Sequence, residues 1–175
     1  MNNNAILRRI RFVFDYDEPK TAAIFQLGGR QVTAGQVGGW FKHEGEPGYL
    51  PCDDTHLAHF LDGFIIERRG KKDGPQPKPQ KRLTANDIFR KLKIALDLKA
   101  DDVIGILESA GQLMSRHELS AFFRRPDNKH YRECPDQVLR KFIKGVAMKY
   151  RPEPENAAAG AKLPDDGNPA GDDAA

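Results

Sequence analysis

Apolar residues recur every three or four positions through most of this chain. One face of a helix over residues 4–15 carries four of them, Ile6, Ile10, Val13 and Phe14. This is the spacing of an amphipathic helix. No segment alternates apolar and polar residues with a period of two for long enough to predict a strand. The pattern therefore predicts an all-α protein.

Three more helices are predicted before residue 70. Asp17 and Pro19 favour the start of the second, because aspartate caps helices and proline suits their first turn. Its expected apolar positions are Ala23, Ile24 and Leu27. The capping-box pattern from Thr33 to Gln36 starts the third. The fourth begins near Cys52-Asp53-Asp54, and its apolar stripe consists of Leu57, Phe60, Leu61, Phe64 and Ile65.

The same pattern occurs twice. Residues 4–69 and 86–151 align without a gap at an offset of 82, and 14 of the 66 aligned positions are identical. The identical pairs are Asn4/Asn86, Ile6/Ile88, Arg8/Arg90, Asp15/Asp97, Ile24/Ile106, Gly29/Gly111, Phe41/Phe123, Tyr49/Tyr131, Cys52/Cys134, Asp54/Asp136, Leu57/Leu139, Phe60/Phe142, Gly63/Gly145 and Arg69/Arg151. An ungapped internal repeat indicates one supersecondary unit used twice. We therefore predict two tandem four-helix repeats, 1–70 and 83–151, packed as a pseudo-two-fold pair like the subunits of a homodimer.

Each repeat contains an element that resembles a helix-turn-helix. A glycine-bearing turn of about four residues joins its second and third helices, and in a helix-turn-helix the second of these enters the major groove. The third helix ends in an aromatic pair and a basic residue, Trp40-Phe41-Lys42 in one repeat and Phe122-Phe123-Arg124 in the other. We expect the aromatic pair to anchor this helix and its outward residues to meet a partner.

Two further segments differ in composition from the repeats. Residues 71–82 have three prolines, five basic residues and one acidic residue, which predicts an exposed basic linker. Residues 152–175 are rich in Pro, Gly, Ala and acidic residues, which predicts a disordered acidic tail. Residues 83–151 carry a net charge of +5, whereas residues 1–70 carry −1. A basic second half raises the expectation of a polyanionic partner.

The basic residues of the second repeat are the candidate contacts with nucleic acid. The six predicted residues are Arg90, Lys91, Lys93, Arg116, Arg124 and Arg125. Arginine and lysine can bind phosphates and base edges, and a basic stripe on the first helix recurs in both repeats as Arg8-Arg9-x-Arg11 and Arg90-Lys91-x-Lys93. A solvated helix face would explain the same stripe without a ligand. A protein-interaction adaptor that uses the surface between the repeats is the alternative function.

Other chemistry finds little support in the sequence. The phosphate-loop, zinc-protease and serine-hydrolase motifs are absent, so we predict a protein without enzymatic activity or cofactor. Cys52, His56 and His59 have the helical spacing and ligand types of a zinc site. The equivalent positions of the second repeat hold Cys134, Val138 and Lys141. Because the repeat does not preserve the set and a fourth ligand is not evident, we predict no metal.

The cysteines and the termini bear on the compartment. Cys52 and Cys134 are equivalent in the repeats, which favours buried packing of two free thiols over a disulfide. No stretch approaches the roughly 20 apolar residues that span a bilayer. The N-terminus has no basic flank followed by an apolar run. We therefore expect a cytoplasmic protein without a membrane partner.

Three segments resemble a known family. They are Asn3–Phe12, Pro51-Cys52-Asp53-Asp54 and Phe60–Gly70. These segments are similar to a bacterial YehS-like family, and the similarity covers about residues 1–151. The resemblance implies a cytosolic bacterial protein with a duplicated helical domain. It implies no catalytic or binding residues.

Overall fold

The structure, a computed structural model, describes residues 1–152. These residues form eight α-helices and no strand, which confirms the prediction of an all-α fold. The helices are α1 (Asn3–Phe14), α2 (Glu18–Leu27), α3 (Ala34–Phe41), α4 (Asp54–Arg69), α5 (Ala85–Ala95), α6 (Ala100–Ser109), α7 (Arg116–Phe122) and α8 (Asp136–Tyr150). The predicted acidic tail lies, beyond Pro152, outside the described residues.

Corresponding positions of the two repeats have the same surroundings. Each helix of the second repeat starts 82 positions after its counterpart. Trp40 and Phe122 are 3% and 6% exposed, and Phe60 and Phe142 are fully buried. The predicted capping boxes at Thr33 and Ser115 both form. The sequence duplication is therefore a structural duplication.

The predictions for the second helix and the turn after it need correction. Ala23 is exposed and Leu27 is 42% exposed, whereas Thr21 and Phe25 are fully buried. The helix is rotated by about one residue because α2 packs against both α3 and α4, and the Phe25 ring lies 5.0 Å from that of Trp40. The connection from α2 to α3 has six residues, 28–33, rather than the four of a compact helix-turn-helix.

The repeats pack reciprocally. The first helix of each repeat packs against the last helix of the other, α1 on α8 and α5 on α4. Arg69 at the end of α4 donates to the carbonyl of Ile94 (3.1 Å) and pairs with Asp97 (3.3 Å), which ends α5 in the left-handed region at φ 52°. Arg151, in the equivalent position, donates to the Phe12 carbonyl and lies 3.7 Å from Asp15.

The opposite ends of the same helix pairs are tied in the same way. Asp54 at the start of α4 accepts a hydrogen bond from the backbone N–H of Leu83 at 3.0 Å. Asp136 at the start of α8 accepts one from the amino group of Met1 at 2.7 Å. Because both ends of each pair match, α5 runs parallel to α4 and α1 runs parallel to α8. The identical positions Asp15/Asp97, Asp54/Asp136 and Arg69/Arg151 thus serve the contact between repeats.

A glycine allows the last helix of each repeat to approach the second helix closely. A Cβ at Gly63 would lie 1.8 Å from the Ile24 carbonyl oxygen, and one at Gly145 would lie 2.2 Å from that of Ile106. No side chain fits at such distances. The identical pair Gly63/Gly145 therefore has a packing reason.

Gly63→Ala should lower the free energy of unfolding by about 3 kcal/mol, because the methyl group must push the α2 backbone away. Gly105→Ala is the matched control, since Gly105 is also helical and a Cβ there meets nothing within 4 Å. This change should raise stability by about 0.5–1 kcal/mol. Urea denaturation followed by circular dichroism measures both. Equal effects at the two sites would contradict the close helix approach.

Candidate nucleic-acid interface

A buried asparagine on the first helix of each repeat holds the loop that precedes the last helix. Asn86 is 4% exposed. Its Nδ2 donates to the carbonyls of Phe122 (3.0 Å) and Arg132 (2.8 Å), and its Oδ1 accepts from the Cys134 N–H at 2.9 Å. Asn4 makes the same three bonds in the first repeat. The side chain thus closes both ends of the loop, and all its polar atoms are used.

The loop backbones of the two repeats have the same internal hydrogen bonds. In the second repeat, Asn128 N–H donates to Arg125 O (2.9 Å), Tyr131 N–H to Asn128 O (3.0 Å) and Arg132 N–H to Ala121 O (3.1 Å). The equivalent bonds in the first repeat have the donors Glu46, Tyr49 and Leu50 and the acceptors His43, Glu46 and Gly39. Two loops with the same hydrogen-bond pattern therefore lie at equivalent places of the pseudo-symmetric molecule. Their backbones differ locally, because Gly45 and Gly48 have φ of 90° and 82° whereas the equivalent Asp127 and His130 do not have positive φ.

The charges on these two loops are opposite. Residues 123–135 contain four Lys/Arg and two Asp/Glu, a net charge of +2, whereas residues 41–53 contain one Lys/Arg and three Asp/Glu, a net charge of −2. The basic side chains of the second loop form what we call the basic corner, which consists of Arg124, Arg125, Lys129, His130 and Arg132. Arg124 is half-buried and the other four are exposed. Loops with the same hydrogen-bond pattern thus carry different surface chemistry in the two repeats.

Two of the six predicted residues lie at the basic corner. Arg125 is exposed and is 3.6 Å from Asp127, whose side chain is also largely in solvent. An exposed pair of this kind is weak and leaves the guanidinium available. Arg124 has no hydrogen bond or ion pair to any described residue.

The predicted residues of α5 instead have structural contacts. Arg90 donates to the Phe123 carbonyl at 3.2 Å, and the Lys93 ammonium lies 5.2 Å from the centre of the Phe123 ring. In the first repeat, Arg8 donates to the Lys42 carbonyl at 3.0 Å, and Arg11 covers the Phe41 ring at 4.4 Å. Arg8 is only 6% exposed. The basic stripe is therefore not simply a solvated face, because four of its six side chains contact the C-terminal end of α3 or α7.

Lys91 and Arg116 lie away from the basic corner. Lys91 is 2.5 Å from Asp62 of α4, in a half-buried ion pair that joins the repeats. Arg116 begins α7, at the opposite end of that helix from the basic corner, and donates through Nε to Asp101 at 2.7 Å. Glu118 completes the capping box there. The carboxylates make the start of α7 unfavourable for phosphate.

Sequence reasoning missed Lys129, His130 and Arg132. Their side chains are exposed on the loop that Asn86 holds. Subtracting one repeat from the other would have found them, because the equivalent residues are Pro47, Gly48 and Leu50. The identical positions of the repeats report the scaffold. The positions that differ between the repeats mark the surface chemistry that is specific to each repeat.

Comparison with known proteins agrees with the duplication. The family model described as "Protein of unknown function (DUF1456)" matches residues 3–70 and again residues 85–151. The chain belongs to this family. It is 39% identical over 150 residues to "Uncharacterized protein YehS" of Escherichia coli (strain K12), which covers 85% of this chain and 96% of the relative. No solved structure matches the chain.

Each repeat of this chain contains a buried thiol beside its asparagine. Burial raises the pKa of Cys52 to about 12, and the charges of Asp53 and Asp54 add to the effect. Burial likewise raises the pKa of Cys134 to about 12. Both thiols are free. A thiol that stays protonated at neutral pH is a packing group rather than a nucleophile.

The histidines near Cys52 point to separate partners. His56 Nδ1 lies 2.8 Å from Asp53, and its ring lies 4.8 Å from that of Trp40. His59 Nδ1 lies 2.7 Å from the Gly28 carbonyl. Within residues 1–152, no three His, Cys, Asp or Glu side chains are grouped so that they could hold a metal ion. No helix in that range has both the length and the apolar character needed to cross a membrane.

Asn86→Ala should cost at least about 2 kcal/mol of stability, because it leaves the Phe122 carbonyl and the Cys134 N–H buried without partners. It should also speed amide hydrogen exchange in residues 131–134 beyond the change expected from the lost stability alone. Chemical denaturation and exchange mass spectrometry measure the two effects.

Asn128→Ala is the control for that experiment. Asn128 is exposed, and its side chain accepts only from the His130 N–H. We expect a change within about 0.5 kcal/mol. If both variants lose the same stability, the buried asparagine does not hold the loop.

The two thiols should resist alkylation in the native protein. At about pH 8, a pKa near 12 leaves roughly one thiolate in ten thousand, so iodoacetamide should react at least about 100-fold more slowly than with the unfolded chain. Labelling with and without denaturant, read by mass spectrometry, measures this. Fast native labelling of either cysteine at that pH would show that burial does not raise its pKa.

Proposed function

We propose that this chain is a non-enzymatic cytoplasmic protein that binds nucleic acid through the basic corner of its second repeat. The observation that supports the proposal is the charge difference between two loops that share the same backbone hydrogen-bond pattern. The core, the capping box of the third helix and the asparagine ties are common to both repeats, so they do not require the basic residues of the second loop. A scaffold that holds its loop rigid also spares the side chains part of the entropy cost of binding.

The chemistry favours phosphate contact over base reading. A recognition helix reads bases with the residues of its N-terminal turns. In α7 that end carries Glu118 and an Arg116 already bound to Asp101. The positive side chains lie beyond its C-terminal end, on the loop. Such an arrangement supplies affinity for the backbone of DNA or RNA without sequence preference.

The linker adds positive charge in another place. Residues 71–82 carry a net charge of +4 and lie mostly exposed. The bonds of Gln76 reach only the backbone of Lys72 and Gly74. In the described part of the chain, no hydrogen bond joins the linker to the basic corner. We therefore treat the corner as the primary contact and the linker as a second, independent source of electrostatic attraction.

The adaptor alternative uses the surface between the repeats. The faces between the repeats pack against each other through α1 with α8 and α4 with α5. One observation still favours a protein partner, because Leu113 is 78% exposed beside Ile104 and Met114 in an open depression of about 340 Å³. An exposed apolar patch can mark a protein-interaction site.

Arg124→Ala/Arg125→Ala should weaken binding to a fluorescent duplex of about 20 base pairs. Each phosphate contact contributes about 0.9 to the slope of log K against log salt, so losing two should reduce the slope by about 1.8. Anisotropy titrations at several salt concentrations measure it, on DNA and on RNA. Different duplex sequences should bind equally well.

Arg30→Ala/Lys42→Ala is the control with the same loss of net charge. Both residues are exposed in the first repeat, and Lys42 corresponds to Arg124. The control should keep its affinity and its slope. Equal losses in the two variants would show that net charge rather than the corner binds. If the unaltered protein binds no duplex at low salt, the proposal is wrong and the Leu113 patch becomes the better candidate.

A further inference from the structure

The interface between the repeats has two equivalent halves. In one half, α4 and α5 are tied by Asp54 to the Leu83 N–H and by Arg69 to Asp97. In the other, α1 and α8 are tied by Asp136 to the Met1 amino group and by Arg151 to Asp15. Each repeat therefore contributes and receives the same contacts at the helix ends, whereas the Asp62–Lys91 ion pair belongs to one half, since the equivalent residues are Lys144 and Arg9. This is the contact geometry of an isologous dimer.

The linker must return along the whole of α4. It leaves α4 at Gly70, after the C-terminal end, and Leu83 lies at the N-terminal end against Asp54. A helix of 16 residues is about 24 Å long at 1.5 Å per residue. The 13 peptide steps from Gly70 to Leu83 can span at most about 45 Å, so the natural linker reaches with slack.

We propose that the face each repeat presents to the other is also a docking surface for a second copy of this chain. Two copies exchange their second repeats, so that the first repeat of each chain pairs with the second repeat of the other. Every contact of the interface is kept in the exchange. Only the path of the linker changes, and the linker has few bonds to the rest of the protein.

Concentration decides between the two forms. A flexible linker holds its partner at an effective concentration of order millimolar. The closed monomer therefore prevails in dilute solution, and the exchanged dimer forms when chains fold together at comparable concentration. The ion pair between Asp62 and Lys91 joins the repeats at 2.5 Å in both forms, within one chain in the monomer and between two chains in the exchanged dimer. A carbodiimide can convert it to an amide bond.

The test mixes equal amounts of the unlabelled and the ¹⁵N-labelled full-length protein. The mixture is heated to its melting midpoint, cooled at about 1 mM or at about 1 μM, treated with carbodiimide and digested. At the high concentration, about half of the Asp62–Lys91 links in the dimer fraction should join a light to a heavy peptide. At the low concentration the links should be of one isotope only. Absence of mixed links at both concentrations would overturn the proposal.

A shortened linker tests the geometry separately. Deleting residues 72–79 leaves five peptide steps, which span at most about 18 Å and cannot cover the length of α4. This variant should be a dimer at micromolar concentration by light scattering, with native helicity and with mixed links after co-refolding. A variant with residues 72–79 replaced by eight Gly and Ser should remain a monomer. A shortened variant that is a folded monomer, or one that does not fold, would contradict the exchange.

Discussion

The structure depends on the parallel pairing of the first helix of each repeat with the last helix of the other. Neither repeat completes its own packing, because α1 is covered by α8 and α5 by α4. Charged residues lie at both ends of these pairs, and the six involved are three pairs of identical residues at equivalent positions, Asp15/Asp97, Asp54/Asp136 and Arg69/Arg151. The arginines also sit at helix C-termini, where positive charge is favourable. The repeats are therefore two parts of one folding unit.

A second constraint acts within each repeat and shapes the surface. Asn4 and Asn86 are buried, and their side-chain polar atoms are hydrogen-bonded to backbone groups. Removing either side chain would leave buried backbone groups without hydrogen bonds, which lowers the free energy of unfolding. On the same helices, Arg8 and Arg90 donate to backbone carbonyls at the end of α3 and α7. Arg11 and Lys93 add cation–π contacts with Phe41 and Phe123. Because these bonds recur in both repeats, the outward side chains of the loop can vary while its hydrogen-bond pattern is kept. The acidic loop of one repeat and the basic loop of the other are the result.

The identical and the divergent positions of the duplication thus have different meanings. Identical positions serve packing, such as Gly63/Gly145 against the α2 or α6 backbone, or the buried thiols of Cys52 and Cys134. Sequence reasoning placed Arg90 and Lys93 in a binding surface because they are basic and recur. Their recurrence also agrees with a structural role. Arg90 and Lys93 both contact Phe123, as Arg8 and Arg11 contact the end of α3 in the first repeat. The basic corner is found by comparing the positions at which the two repeats differ.

The sequence by itself determined the helices, their capping boxes and the duplication, because these follow from local spacing and from identity at a constant offset. The sequence pattern did not predict the rotation of α2 that buries Phe25. The buried face of this helix is set by its packing against α3 and α4 rather than by its own apolar spacing. Only the tertiary structure decided which helices pair across the pseudo-two-fold axis. A sequence repeat reads the same whether α1 covers α4 or α8. The difference lies in contacts between residues more than 130 positions apart, such as that of Arg151 with Asp15, and no local pattern encodes them.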